Sequence, residues 1–161
     1  MGGKHDRVLE RLRSQADDIR RLCGGMDEAA ISRRAKPDQW SLKEVLAHVG
    51  RIQDVFERRL EALLTEARPA ITSYSPEADP EFESIAKRSS AELLKSFEEK
   101  RRRIVARLES LSPEDWHRAG RHSDYPSYDV HLCMEYMGHH EAHHIYQMFE
   151  RRAVMGVPAA H

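Results

Sequence analysis

The sequence lacks an excess of charge of either sign. Its 26 basic and 27 acidic residues give a net charge of −1, and both kinds are spread along the whole length. Proteins that bind nucleic acid or anionic membranes carry a surplus of positive charge for the phosphates. The composition therefore offers no electrostatic basis for either partner, and we expect neither a nucleic acid nor a membrane.

Long hydrophobic runs and cysteines are also scarce. No uninterrupted apolar run approaches the roughly 20 residues of a membrane-spanning helix, and the strongly charged residues 1–21 lack the apolar core of a signal peptide. The two cysteines, Cys23 and Cys133, are expected to be free thiols, because disulfides are rare in cytosolic proteins. These absences together predict a cytoplasmic protein.

Neither an internal repeat nor a β-rich segment is recognisable in the 161 residues. Hydrophobic residues make up 40% of the chain and charged residues 33%, which suits a globular protein with a solvated surface. A chain of this length most simply forms one domain, which we place over residues 1–161.

Apolar residues recur at steps of three and four in four long segments, which is the spacing of an amphipathic helix. The predicted helices run from 4 to 23, from 42 to about 65–67, from 89 or 90 onward, and from 130 to about 152. Gly24-Gly25 ends the first helix, Ser41 and Glu44 form a capping box for the second, and Asp129 caps the last.

The connections contain weaker helix signals and two segments whose composition predicts loops. Short helices are expected over residues 27–31 and 81–88, and from Ser112-Pro113 to about Gly120. Loops are expected over residues 72–80 and 121–127, and Gly156 and Pro158 close the ordered part. The predicted fold is all-α, a four-helix bundle with short additional helices in the connections.

Four of the ten histidines fall within six residues of the last helix. Residues four apart on a helix lie on nearly the same face, so two imidazoles with this spacing can hold one metal ion. His140 and His144 share their face with Met137, which places them against other helices. His139 and His143 lie about 100° around the axis and are expected to face solvent.

An isolated pair of this kind most often consists of two unrelated histidines. His48, however, lies beside the apolar stripe of the second long helix. Inward-facing histidines from two helices can build a metal site inside a bundle, and a buried imidazole needs a polar partner, which a shared cation supplies. The sequence therefore predicts a metal site.

The letters His140-Glu141-Ala142-His143-His144 also satisfy the H-E-x-x-H pattern of zinc proteases. Such a protease usually holds its substrate beside a β-sheet. No strands are predicted in this chain, so the protease alternative is the weaker one.

Two blocks of the sequence resemble the DinB-like superfamily, also known as DinB/YfiT-like. They are Trp40-Ser41-Leu42-Lys43-Glu44-Val45-Leu46-Ala47-His48 and His140-Glu141-Ala142-His143-His144-Ile145-Tyr146-Gln147-Met148. The resemblance implies a four-helix bundle in which His48, His140 and His144 are the metal ligands. Ile145-Tyr146 departs from the family, where many relatives have Arg-Gly or another small pair, and is expected to alter the pocket wall.

Three histidine ligands leave a metal ion with open positions, as catalytic sites do. Imidazole suits several divalent metals, of which zinc is our first expectation and nickel the second. An open cation can activate water for hydrolysis or hold a thiol as its reactive thiolate. The resemblance implies the second role, since characterised relatives include bacillithiol transferases and mycothiol-dependent maleylpyruvate isomerases.

We therefore predict a metal-dependent thiol S-transferase that brings a small-molecule thiol to a small electrophile. A metal-dependent hydrolase and a non-catalytic, stress-related metal-binding protein are the alternatives. The resemblance also implies a homodimer, and no catalytic residue is assigned.

Three further side chains and one run of basic residues carry expectations about their surroundings. Trp40 is expected to anchor the start of the second helix in the core, and Gln147 to form a hydrogen bond with a ligand histidine. Cys133 is expected in the core, too far from His140 to share an ion. Lys100-Arg101-Arg102-Arg103 is interpreted as a charged solvent face.

Overall fold

Four long helices form the body of the computed structural model, which describes residues 2–157. Met1 and residues 158–161, with the predicted stop at Pro158, lie outside the described residues. The helices are α1 (Lys4–Cys23), α2 (Glu28–Ser32), α3 (Leu42–Thr65), α4 (Phe82–Ala86), α5 (Ser90–Glu109) and α6 (Val130–Val154). The predicted four-helix bundle with short helices in the connections is thereby confirmed.

Local hydrogen bonds set the starts of the two helices that carry the histidines. Ser41 Oγ accepts a hydrogen bond from the N–H of Glu44 at 3.1 Å, and the Glu44 carboxylate accepts one from the N–H of Ser41 at 3.0 Å. These two bonds complete the predicted capping box at the start of α3. Asp129 caps α6 by accepting a hydrogen bond from the N–H of Leu132 at 2.8 Å.

The long helices form a ring in which α5 and α6 each pack against both α1 and α3. Consequently α1 and α3, although consecutive among the long helices, lie diagonally across the bundle. Apolar side chains from all four helices fill the interior, among them Leu12, Ile19, Phe56, Leu60, Phe97, Ile104, Met137 and Met148. The direct packing of α3 against α6 brings His48 to the histidines of α6.

A small three-stranded sheet joins the bundle between the end of α3 and the start of α6. Strand β1 (Ala70–Ile71) pairs in parallel with β2 (Ala119–His122), which pairs antiparallel with β3 (Tyr125–Asp129). The predictions of a loop over residues 121–127 and of no strands were therefore wrong. The helix predicted from Ser112-Pro113 is only a 3₁₀ turn over Asp115–His117.

These strands escape sequence patterns because all three are short and because β1 pairs with β2, which lies far away in the chain. Strands of two to five residues are too short to show the alternation that marks a half-buried strand. Gly120 shows how close the segments come, since a Cβ atom there would lie 2.5 Å from the carbonyl oxygen of Pro69. That oxygen accepts a hydrogen bond from the N–H of Arg121 at 2.8 Å, so the contact requires glycine.

Both cysteines are buried and free, as predicted. Burial raises the pKa of Cys23 and of Cys133 to about 12, which keeps both thiols protonated and unreactive. Among residues 2–157, no helix is long and apolar enough to cross a membrane. The assignment of residues 1–161 to one domain stays a prediction.

Candidate metal centre

Three histidines from two helices meet inside the bundle. His48 projects from α3 and His140 and His144 from α6, and each offers a ring nitrogen within 4.8 Å of those of the other two. The Nε2 atoms of His140 and His144 are 3.3 Å apart, and the ring centroids of His48 and His144 are 4.5 Å apart. His139 and His143 are exposed, so the structure brings together the predicted trio and leaves the other pair at the surface.

The three imidazoles are held in their neutral form near pH 7. His48 is only 4% exposed. Burial, and then the neighbouring His144 and His140, lower the pKa of His48 to about 3. Burial, followed by His144, lowers the pKa of His140 to about 4. Burial also lowers the pKa of His144. A neutral imidazole has an unprotonated ring nitrogen, which is the form that binds a metal ion.

Gln147 sets the tautomer of His144. Its side-chain carbonyl oxygen Oε1 lies 2.8 Å from Nδ1 of His144, and because that oxygen can only accept, Nδ1 carries the proton. Nε2 of His144 is then unprotonated, and it faces Nε2 of His140. The predicted hydrogen bond of Gln147 is present, and bonds of this kind orient the ligand histidines of metal sites.

The donor set fits a divalent cation. Nδ1 of His48 is buried and has no hydrogen-bond partner among residues 2–157, and an unpartnered buried polar atom costs about 1–3 kcal/mol. Three neutral nitrogen donors suit zinc, nickel or another borderline metal. Within the described part of the chain, no other group of histidine, cysteine or acidic side chains converges in this way.

A cavity of about 320 Å³ opens beside the three histidines, between α3 and α6. The aromatic and aliphatic part of its wall is supplied by Trp40, Ile52, Val55, Phe56, Tyr74 and Tyr136. Arg59, His143 and the hairpin residues His122 and Asp124 line much of the remainder. A small organic molecule would therefore meet an apolar surface with the histidines on one side.

Trp40 is partly buried and packs against the core beside Phe82, at the start of α3. Its ring also lies 5.2 Å from that of His48 and forms part of the cavity wall. Ile145 packs into the core and Tyr146 is exposed, so neither lines the cavity. The expectation that these two residues alter the wall was wrong, because they lie about 100° and 200° around α6 from His144.

The loop over residues 72–80 is tied to α3 by Asp79. Its carboxylate is 4% exposed and pairs with the guanidinium of Arg51 at 2.8 Å. It also accepts hydrogen bonds from the hydroxyl of Tyr74 at 2.8 Å and from the N–H of Glu81 at 3.0 Å. Arg51 is the main reason that the pKa of Asp79 falls to about 2. The ion pair therefore positions Tyr74, a residue of the cavity wall.

Asp79→Asn is expected to lower the free energy of unfolding at neutral pH by about 1–3 kcal/mol, the scale of charged hydrogen bonds that are lost. The carboxyl has a pKa of about 2 in the folded protein and an ordinary value of 3.8. The free energy of unfolding of the wild type therefore exceeds that of Asp79→Asn above pH 3.8, and the difference shrinks as the pH falls toward 2. Urea denaturation over this range measures it. Glu77→Gln, an exposed change in the same loop, is the control, and equal losses in both variants would contradict this role of Asp79.

A buried ion pair crosses the core beside the histidines. Arg101 on α5 is 3% exposed and Glu141 on α6 is 1% exposed, and the guanidinium contacts the carboxylate. Arg101 also donates to Oε1 of Gln53 at 3.0 Å and to the carbonyl oxygen of Leu12 at 2.6 Å. The interpretation of residues 100–103 as a solvent face was therefore wrong for Arg101.

The sequence does contain a signal for this buried pair. Arg101 follows Phe97 by four residues and precedes Ile104 by three, which places it on the apolar stripe of α5. Glu141 lies in the same way between Met137 and Met148 on α6. Two opposite charges on two inward faces indicate a buried pair, because a lone buried charge is too costly.

Glu141 does not serve the histidine site as the base of a protease. Its carboxylate lies in the core with Arg101 and Gln53. Burial raises the pKa of Glu141, and the two partners oppose that rise. The expected absence of strands was one argument against a protease, and strands do exist. The protease alternative is still disfavoured, because the glutamate that would act as the base is paired with Arg101 in the core.

The sequence is similar to a known protein family and to a protein from Bacillus subtilis. A model of the DinB superfamily matches residues 11–148. The YuaE protein of Bacillus subtilis (strain 168), whose function is uncharacterized, is 22% identical over 141 residues, covering 78% of this chain and 85% of YuaE.

Solved structures share the fold. YfiT from Bacillus subtilis, described as a probable metal-dependent hydrolase with an unusual four-helix bundle topology, has a TM-score of 0.83 at 21% identity, covering 96% of this chain and 89% of YfiT. A DinB-like protein from Bacillus cereus ATCC 10987 has a TM-score of 0.67 at 14% identity, covering 96% and 94% of the two chains. The mycothiol-dependent maleylpyruvate isomerase has a TM-score of 0.73 at 16% identity, covering 92% of this chain and 63% of the isomerase.

Proposed function

This chain belongs to the DinB superfamily, and from that premise we propose that it is a metal-dependent enzyme in which His48, His140 and His144 hold a divalent cation. The observation that carries the proposal is the convergence of three neutral imidazoles, with ring nitrogens within 4.8 Å of one another, on the wall of a cavity. Zinc is the first choice of metal and nickel the second. A homodimer in the cytoplasm, without nucleic-acid or membrane partners, completes the proposal.

The ligand set leaves room for a reacting molecule. Structural zinc sites are closed by four protein ligands, whereas three histidines leave at least one position open, and the cavity adjoins them. When bound, a cation with three neutral ligands favours the anionic form of a thiol or a water molecule that enters the cavity.

The carboxylates around the site favour a thiol over water as the activated molecule. Hydrolysis is helped by a base that takes a proton from water, and the nearby carboxylates are poorly suited to this task. Glu141 pairs with Arg101 in the core, and Asp124 is exposed on the cavity wall. A thiol has an ordinary pKa near 8.5, so it reaches its reactive form without a dedicated base.

We therefore assign the enzyme to the metal-dependent thiol S-transferases, with the aromatic wall of the cavity receiving a small electrophile. In the transfer, a bond forms between sulfur and the electrophilic carbon, the leaving group departs with its electron pair, and the thiol proton passes to solvent. The mycothiol-dependent isomerase of the same fold supports a low-molecular-weight thiol as the co-substrate.

His143 is the observation that favours a metal-dependent hydrolase as the second candidate. It lines the cavity, and its ring centroid lies 5.3 Å from that of His144. An imidazole on the cavity wall can accept a proton from water as a general base. The description of YfiT as a probable metal-dependent hydrolase supports the same candidate.

Metal content and turnover together test the proposal. Purified protein is expected to hold about one equivalent of metal per chain. Zinc-loaded protein is then expected to accelerate the reaction of N-acetylcysteine with monobromobimane, and chelator-treated protein is not. Hydrolysis of nitrophenyl esters without thiol transfer would favour the hydrolase. Stoichiometric metal with neither activity would favour a stress-related metal-binding protein, and absence of metal after zinc loading would overturn all three.

A further inference from the structure

Arg59 is a cation on the cavity wall that has no carboxylate partner among the residues that the structure describes. Three other arginines of the α3 and α5 surfaces are paired with acids: Arg51 with Asp79, Arg103 with Glu57 and Arg107 with Glu61. Within residues 2–157, Arg59 forms no ion pair. Its guanidinium donates to two neutral acceptors, the hydroxyl of Tyr128 at 3.2 Å and the carbonyl oxygen of Thr72 at 2.7 Å. These bonds use two of its five N–H groups, and the others are available to a ligand.

Arg59 lies on the same face of α3 as His48. It follows His48 by eleven residues, which is about three helical turns and about 16 Å along the axis. Long side chains on a helix lean toward its N-terminus, and the guanidinium carbon lies 4.9 Å from the ring centroid of Phe56, one turn nearer to His48. Arg59 is therefore directed back along the cavity toward the histidines.

Arg59 and the three histidines line one and the same cavity. Asp124 lies on the same wall, but it is exposed, where water and salt screen its charge. The cavity thus has a cationic end, an apolar middle formed by Ile52, Val55 and Phe56, and a histidine end.

We propose that Arg59 binds a carboxylate of the substrate, so that the enzyme acts on small molecules with an anionic group remote from the reacting atom. The inference rests on the proposed function for the reacting end and on Arg59 for the charged end. A guanidinium presents parallel N–H groups that match the two oxygens of a carboxylate. The apolar middle of the cavity suits a hydrocarbon or aromatic link between the two ends of the substrate.

A matched pair of probes tests the charged end without the metal. Hydrocinnamate and hydrocinnamamide have the same shape and differ in charge, and their binding to the metal-free full-length protein is measured by titration calorimetry. The acid is expected to bind about tenfold more tightly than the amide, the effect of one charged hydrogen bond, with a preference that weakens as salt is added. Arg59→Gln is expected to abolish the preference for the acid. Arg59→Lys is expected to keep part of this preference, because lysine retains the positive charge but lacks the parallel N–H groups of the guanidinium.

Arg58→Gln is the control, because Arg58 is the next residue on α3, is exposed, and carries the same charge outside the cavity. It is expected to leave the preference for the acid unchanged. Equal affinity of the wild type for the two probes, no measurable binding of the acid, or a preference that survives in Arg59→Gln would each overturn the inference. Elemental analysis of the same preparations judges the metal site separately, so a protein that prefers the acid and binds no zinc would refute the proposed function and support the role of Arg59.

Discussion

Replacing Arg101 by leucine is expected to lower the free energy of unfolding by about 3–5 kcal/mol, because the change leaves the carboxylate of Glu141 buried without a cation. Arg101 also provides the donors for Gln53 and for the carbonyl oxygen of Leu12, which lose their partner. Since a folded domain is stable by only about 5–15 kcal/mol, this single change removes a large share of the total. Urea denaturation followed by circular dichroism measures the loss.

Arg102→Leu is the matched control for this effect. Arg102 is the next residue on α5 and is exposed, so its replacement is expected to change the stability by no more than about 0.5 kcal/mol. A loss in Arg101→Leu no larger than that in Arg102→Leu would show that the buried pair is not important for stability.

The double variant Arg101→Leu/Glu141→Leu separates the stranded charge from the lost volume. Apolar residues of similar size can replace a buried ion pair at little cost, so the double variant is expected to be more stable than Arg101→Leu alone. Burial raises the pKa of Glu141. The deficit of the single variant should therefore shrink as the pH falls and this carboxyl takes up a proton in the folded state. A double variant as unstable as the single one would contradict this explanation.

His48→Ala is expected to weaken zinc binding by more than about a hundredfold, because even the loss of an outer hydrogen bond to a ligand costs 10–100-fold. His140 and His144 remain as two donors on one helix, and no other donor among residues 2–157 joins their group. Competition with a chromogenic chelator measures the affinity. The rise in melting temperature that zinc causes by binding only the folded state is expected to disappear with it.

His143→Ala is the matched control for the histidine change. His143 lines the same cavity but is exposed and lies outside the trio, so its loss is expected to leave the affinity for zinc nearly unchanged. The ligand set would be wrong if His48→Ala bound zinc as tightly as the wild type, or if both variants lost it equally.

The long helices and the inward histidines could be predicted because their signals are local. The capping residues Ser41 and Asp129 act on backbone groups within one turn, and the apolar stripes repeat within 3.6 residues. The same periodicity separates His140 from His139, since adjacent residues on a helix differ by about 100°. That His48 meets His140 and His144 depends in addition on the direct packing of α3 against α6.

The sheet and the wall of the cavity could not be predicted in the same way, and the buried pair shows only when the inward faces of two helices are compared. Strand β2 depends on a close contact between Gly120 and Pro69, which are far apart in the chain and share no local pattern. Arg101 lies in a run of basic residues that suggests solvent, and only Glu141 on another helix makes its burial tolerable. The pairing of two distant segments is set by tertiary packing. The residues adjacent to each segment in the chain do not predict it.

The amino-acid sequence alone determined where the helices begin and which histidines face inward, because both depend on hydrogen bonds and periodicity within one or two turns. The tertiary structure decided that α3 packs against α6 and lies diagonally from α1. It also decided that Arg101 contacts Glu141, while Arg59 contacts no acidic side chain within residues 2–157. These pairings depend on which helix faces are placed side by side, and that choice minimises the free energy of the whole bundle instead of any one segment.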